Sequence, residues 1–257
     1  MDRIRQKKAF ICDMDGVIYR GTEVLPGAKS YIDWLKQHDK RYLFLTNSSE
    51  RTPLQLAEKL TAMGIEVSPE HFMTSAIATA IFLQTQRPGA RIFVIGDHGL
   101  HQALTEAGFT VTEDRPDYVV LGETVHYTYE RIEKAIHHVL AGARLIGTNP
   151  DLTGPSEKGI VPACRALIAP IELSTGRQPY YIGKPNPLIM RHSLKRLGCR
   201  REEAVIIGDR MDTDIIAGIE SEIQTVLVLS GITQKQDLER FAYRPDVILD
   251  HVGQIAE

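Results

Sequence analysis

Asp13 and Asp15, in the run Cys12-Asp13-Met14-Asp15-Gly16, are carboxylates two residues apart, directly after the apolar stretch Ala9-Phe10-Ile11-Cys12. At the end of a buried strand they repel each other unless a cation lies between them. A hard divalent ion with oxygen ligands, Mg²⁺ above all, suits such a pair. With that charge neutralised, one carboxylate can attack phosphorus and form an acyl phosphate. Its neighbour can protonate the leaving alkoxide and later deprotonate the water that hydrolyses the intermediate. Gly16 lets the backbone turn tightly beside a bound phosphate. Alone this is a weak signal, since D-x-D-G arises by chance in roughly one chain in twenty of this size. A polar strand-to-loop turn explains it equally well.

Three further polar clusters follow apolar runs. Gly208-Asp209-Arg210-Met211-Asp212-Thr213-Asp214 contains a third acid, Asp209, that could complete a metal site, and Asp214 could orient the groups around it. The bland reading is a helix N-terminus with Asp212 or Thr213 as its cap. Thr46-Asn47-Ser48 offers a hydroxyl, an amide and backbone N–H groups to phosphate oxygens. Gly183-Lys184-Pro185 supplies a cation able to bind phosphate and the attacking carboxylate together. Neither acidic cluster has Gly at the sixth and Glu at the twelfth position, so calcium loops are rejected. Each cluster is weak by itself; four in order, at four expected strand ends, are specific.

The elements that must position them alternate, as in parallel α/β architecture. Strands are expected at 9–12 and 42–45, with helices at 27–38 and 52–63. A second series has strands at 91–95, 118–121 and 144–146 and helices at 99–107, 128–141 and 163–175. A third has strands at 180–182, 204–207, 225–229 and 246–249, and helices at 187–197 and 213–219. In an open parallel sheet, ligands bind beyond the carboxyl ends of the strands, so chain-distant clusters can converge. Gly96-Asp97-His98-Gly99 follows a strand but lacks the spacing of a dinucleotide loop. The histidine pairs lack the accompanying ligands of a zinc site.

The 257 residues allow one large α/β domain or two modest ones. A formal charge of −3 argues against a nucleic-acid polymer or an anionic membrane as partner. No long apolar run follows the cationic first residues, so neither export signal nor anchor is expected. Cys12, Cys164 and Cys199 are scattered and form no CxxC pair, which is read as reduced thiols in a cytoplasmic protein.

Asp13-Met14-Asp15-Gly16-Val17-Ile18, Leu45-Thr46-Asn47-Ser48, Gly183-Lys184-Pro185 and the run Gly208 to Asp214 together resemble the four motifs of haloacid dehalogenase superfamily phosphatases. Gly147-Thr148-Asn149-Pro150-Asp151 and Pro162-Ala163-Cys164 place the resemblance nearest the NagD-like branch. It implies a Rossmann-like, doubly wound parallel sheet core with a large inserted α/β cap. By that likeness Asp13 is the nucleophile and Asp15 the general acid/base. Thr46, Asn47, Ser48 and Lys184 hold phosphate, while Asp13, the Asp15 backbone carbonyl and Asp209 bind Mg²⁺, with Asp214 behind them. Thirty residues separate Asp15 from Thr46, but 136 lie between Asn47 and Lys184, room for the cap. The expected division is catalytic core at 1–78 and 182–257 and cap at 79–181.

Asp151, just before the individual loop 152–159, and Thr153 within it are the candidates for reading the rest of the substrate. The implied substrates are small phosphorylated metabolites, nucleoside monophosphates or sugar phosphates, with pyridoxal phosphate or phosphoglycolate as related choices. The resemblance leaves room for a homo-oligomer assembled through the cap. A phosphotransferase is the enzymatic alternative, separated by phosphate release against transfer to an added alcohol. A phospho-acceptor signalling module is the non-enzymatic one, disfavoured by chain length and motif order. A catalytically idle binding protein is disfavoured because every chemical position is filled.

Overall fold

Ala9–Cys12, buried at all four positions, form β1, the strand from which the catalytic candidates project. The computed structural model describes residues 1–156 and 159–257. Two units make up the chain: the first holds Met1–Thr46, Ala57–Met73 and Lys184–Glu257, the second Asn47–Leu56 and Thr74–Gly183.

In chain order, α1 (Asp2–Arg5) precedes β1, and the hairpin of β2 (Tyr19–Arg20) and β3 (Glu23–Val24) follows it. Next come α2 (Ala28–Gln37), β4 (Arg41–Thr46), α3 (Pro53–Ala62) and β5 (Phe72–Thr74). Then follow α4 (Ser75–Gln86), β6 (Arg91–Ile95), α5 (His98–Glu106), β7 (Thr110–Val111), β8 (Tyr118–Leu121), α6 (Tyr129–Leu140) and β9 (Arg144–Gly147). The hairpin of β10 (Thr153–Ser156) and β11 (Gly159–Pro162), α7 (Cys164–Thr175) and β12 (Tyr180–Tyr181) come after them. The chain closes with α8 (Pro187–Leu197), β13 (Ala204–Gly208), α9 (Ile216–Glu220), β14 (Gln224–Val228) and β15 (Val247–Leu249).

The first sheet has the order β15-β14-β13-β1-β4-β5. β1 pairs in parallel with β13 on one side and β4 on the other. Strand order therefore reverses at β1, the switch point where ligands bind in such sheets. β1 and β13 are buried throughout, which is why they read as continuous apolar runs without alternation. Phe10 meets Tyr31 and Trp34 of α2 edge to face at centroid distances of 6.4 and 5.5 Å. Such pairs add about 0.5–1.5 kcal/mol each beyond area burial. α8 starts at Asn186, whose side chain accepts from Leu188 N–H, with Pro187 as first helical residue, and it stops at left-handed Gly198.

The second sheet has the order β12-β9-β8-β6-β7 and is parallel throughout. Phe93 and Ile95 of β6 and Val119 and Leu121 of β8 pack with residues of α6 and α7.

Four local features depart from expectation. The strand before Lys184, read as opening the third series although it lies within the expected cap bounds, belongs to this second sheet, so Lys184 follows the end of β12. α4 was not legible because Ala76, Ala78, Thr79, Ala80 and Leu83 bury several faces of it, which leaves no amphipathic stripe. Residues 211–215 form a wide turn in which Ile215 N–H donates to Arg210 O at 3.2 Å, and α9 begins only after it. The segment 152–159, read as a loop, contributes β10 and the first residue of β11; its Glu157 and Lys158 lie outside the described residues. Among the described residues no helix is long and apolar enough to cross a membrane.

Candidate active site

Asp13 follows β1 directly, and its backbone N–H donates to Ile207 O of β13 at 2.8 Å, extending the ladder to the nucleophile candidate. Carboxylate oxygens of Asp13, Asp209 and Asp214 all lie within 4.8 Å of one another. Lys184 Nζ stands among them, donating to Asp13 Oδ1 and Asp214 Oδ1 at 2.7 Å each and to Leu45 O at 3.2 Å. Lys184 is 2% exposed and Asp214 fully buried.

The electrostatics follow from that crowding. Burial pushes the Asp13 carboxyl well above its ordinary range; Lys184 opposes the shift, and Asp214 and Asp209 add to it. Burial and then the Asp214 charge raise Asp209 to about 7. Burial favours a neutral Lys184, but the Asp13 and Asp214 carboxylates outweigh it and hold the ammonium above its ordinary pKa. When ionised, three carboxylates against one ammonium leave two negative charges in a nearly closed space. A hard divalent cation fits this donor set and this charge.

Asp209 is fixed from two sides. Its Oδ2 accepts from Ile232 N–H at 2.7 Å and its carbonyl from Thr233 N–H at 3.1 Å, both in the loop after β14. Gly16, at φ +78°, passes so close that a Cβ there would lie 2.4 Å from Asp209 Oδ2. Only glycine combines that left-handed turn with that approach. The wide turn places Asp214, whose Oδ2 accepts from Arg210 N–H at 3.1 Å.

The remaining candidates separate. The Asp15 side chain is exposed and is not part of the three-carboxylate group; its residue bridges to Tyr19. Thr46 is half-buried as the last residue of β4. In the second unit, Asn47 Nδ2 donates to Asp151 Oδ2 at 2.9 Å, joining two candidates 104 residues apart. Ser48 is half-buried and its hydroxyl donates to Glu50 Oε2 at 3.4 Å. Asp151 N–H donates to Asn149 Oδ1 at 3.0 Å. Thr153 is exposed and opens β10. Cys12 is buried beside Asp13, and burial pushes its thiol up, away from reactivity.

Sequence reasoning missed the 230–233 loop that holds Asp209, and Glu123, a carboxylate bonded to Ser49 and Asn149. Both follow strands, β14 and β8, so the strand-end rule would have flagged them if applied to every strand.

Residues 10–110 match the family model for haloacid dehalogenase-like hydrolases, and residues 181–255 match a second, HAD-hydrolase-like one. The dihydroxyacetone phosphatase of Corynebacterium glutamicum is 43% identical over 97% of this chain and 90% of its own length. The acid sugar phosphatase of Staphylococcus epidermidis is 41% identical over 92% of each chain. Among solved structures, NagD from E. coli K-12 superposes with a TM-score of 0.92 at 39% identity, covering 97% of this chain and 98% of that one. With motifs, sheet order and relatives in agreement over nearly its whole length, the chain belongs to the haloacid dehalogenase-like hydrolases, as a NagD-like phosphatase of phosphoric monoesters.

Proposed function

We propose that this phosphatase hydrolyses small sugar phosphates or nucleoside monophosphates with Mg²⁺, through an aspartyl phosphate on Asp13. The observation that carries the reading is the buried Lys184 ammonium bonded to both Asp13 and Asp214, with Asp209 in the same cluster. Asp13 attacks phosphorus as the bond to the ester oxygen breaks, and Asp15 gives its proton to the departing alkoxide. Water then attacks the phosphoryl group, Asp15 takes the proton, and phosphate leaves the regenerated Asp13 carboxylate. Thr46, Asn47, Ser48 and Lys184 bind the phosphoryl oxygens. Asp13, Asp209 and the Asp15 backbone carbonyl are the residues that would hold Mg²⁺, which supplies charge neutralisation at the transferring phosphoryl group. The relatives' names favour sugar phosphates over the other esters, pyridoxal phosphate and phosphoglycolate included.

Phosphate release from a panel of sugar and nucleoside monophosphates tests this. Turnover is expected to vanish in excess chelator and to return with Mg²⁺. Full turnover in chelator removes the metal assignment, and no release from any ester removes the substrate class.

Asp151 and Thr153 are proposed to select the organic part of the substrate. Because Asp151 accepts from Asn47, Asp151→Ala is expected to slow every substrate as well as to change their ranking. Thr153→Ala is expected to change only the ranking of natural esters, leaving p-nitrophenyl phosphate within about twofold. An unchanged ranking in both variants would exclude these residues as the specificity element.

A further inference from the structure

Glu123 lies two residues beyond the end of β8 and plays no part in the chemistry above. Its Oε2 accepts from Ser49 N–H at 3.2 Å and from Ser49 Oγ at 2.5 Å, and its Oε1 accepts from Asn149 Nδ2. Ser49 Oγ accepts in return from Glu123 N–H at 3.2 Å. Asn149 Nδ2 also donates to Asn47 O at 2.7 Å. With the bonds from Asp151 to Asn149 and from Asn47 to Asp151, Asn47, Asp151 and Asn149 close a ring, and Glu123 ties Ser49 to it through Asn149. Ser49 and Asn149 are fully buried. A Cβ on Gly122 would lie 2.3 Å from Ser49 Oγ, so the chain beside Glu123 approaches this segment as closely as glycine permits.

Glu123 is half-buried, and a carboxylate withdrawn this far from water is a poor choice for stability alone, since apolar replacements of such charged groups are often neutral or better. Burial indeed pushes the Glu123 carboxyl up, against the donations from Asn149 and Ser49. Its donors are specific: two belong to Ser49, two residues beyond Asn47, and the third is the amide that grips the Asn47 carbonyl. The carboxylate therefore spends its acceptors on fixing residues 47–49. Misplacement of a binding group by about 1 Å can cost on the order of a hundredfold in rate.

We propose that Glu123 is a positioning residue that sets Asn47 for the phosphate group through Ser49 and Asn149. The proposal rests on the reading of Asn47 as a phosphate-binding residue. Its test uses the Mg²⁺-loaded enzyme, p-nitrophenyl phosphate as substrate and inorganic phosphate as competitive inhibitor. Glu123→Gln keeps the shape but puts an NH₂ where only acceptors fit. It is expected to raise KM and the phosphate inhibition constant about tenfold or more, with kcat within about threefold. Asn47→Ala is expected to raise the same two constants, and the double variant to be no worse than Asn47→Ala alone.

A Glu123→Gln enzyme that loses thermal stability but keeps its phosphate inhibition constant overturns the proposal. So does a double variant whose losses multiply, because Glu123 would then act independently of Asn47. If Asn47→Ala itself leaves phosphate inhibition unchanged, the parent reading of Asn47 fails, and that outcome is distinct from the other two. Should Glu123→Gln not fold, Ser49→Ala removes one hydroxyl and keeps the carboxylate. It is expected to raise the phosphate inhibition constant in the same sense, and no change there overturns the proposal equally.

Discussion

Asp13→Asn is expected to lower phosphate release by a factor of at least about 10⁴, because on the proposed mechanism it removes the oxygen that attacks phosphorus. The loss should be one of chemistry and not of folding. Asparagine keeps the shape of the side chain, and Lys184 retains its bonds to Asp214 and Leu45. Asp15→Asn provides the contrast. Its side chain is exposed and outside the carboxylate cluster, so the core electrostatics stay intact. On the proposed mechanism it removes the proton for the leaving oxygen. A sugar alkoxide needs that proton and p-nitrophenolate hardly does, so the penalty should be larger for the sugar ester by about tenfold or more. Initial rates with both substrates check this, together with thermal melts of both variants. Residual turnover by Asp13→Asn near the wild-type rate would place the nucleophile elsewhere, and equal slowing of both substrates by Asp15→Asn would remove its acid role.

The contrast between these two aspartates also marks how far the site was legible in sequence. Asp13 and Asp209 could be read because each ends a buried parallel strand whose residues are all apolar, and that burial is strong and local. The place of Lys184 beside Asp13 was legible from its motif, but its path was not. A two-residue strand, half exposed, carries too little pattern to say which sheet it joins, and β12 pairs with β9. In sequence Asp214 reads as a residue that orients the groups around the metal site, but its position could not be derived from a helix expected over 213–219. The wide turn at 211–215 brings it onto Lys184, and such a turn has no periodic signature. Asn47 and Asp151 are 104 residues apart, and only the folded chain shows the bond between them. The β10–β11 hairpin escaped because the strand residues whose exposure is described are mostly solvent-facing and rich in glycine and proline, so no alternation marks them.

Lys184→Met should reveal how much of the first unit's stability depends on a single buried cation. The ammonium donates to two carboxylates at 2.7 Å and to the carbonyl of Leu45, and it is 2% exposed. Methionine fills a similar volume but leaves those acceptors without a donor, three carboxylates without a counter-charge, and phosphate without its cation. Breaking a buried pair from one side costs about 3–5 kcal/mol. For a chain of this size that corresponds to a drop of roughly 6–20 °C in Tm. The drop should depend on pH when chelator is present. Asp13 and Asp209 are acids whose folded pKa is raised above the unfolded value, so their protonated forms favour folding at low pH. That contribution is lost as pH rises through the folded value, about 7 for Asp209, and removing Lys184 exaggerates it. Lys184→Met should therefore lie nearer the wild type at pH 5 than at pH 8. Mg²⁺ should raise the Tm of the variant more than that of the wild type, since it meets one more uncompensated negative charge. Adding Asp214→Asn removes that extra charge and should recover much of the lost Tm while leaving phosphate release as low as in Lys184→Met. Calorimetry and initial rates on the three proteins decide the matter. A Lys184→Met enzyme with wild-type Tm and kcat/KM would show that the cation at the centre of the cluster contributes neither to folding nor to phosphate binding.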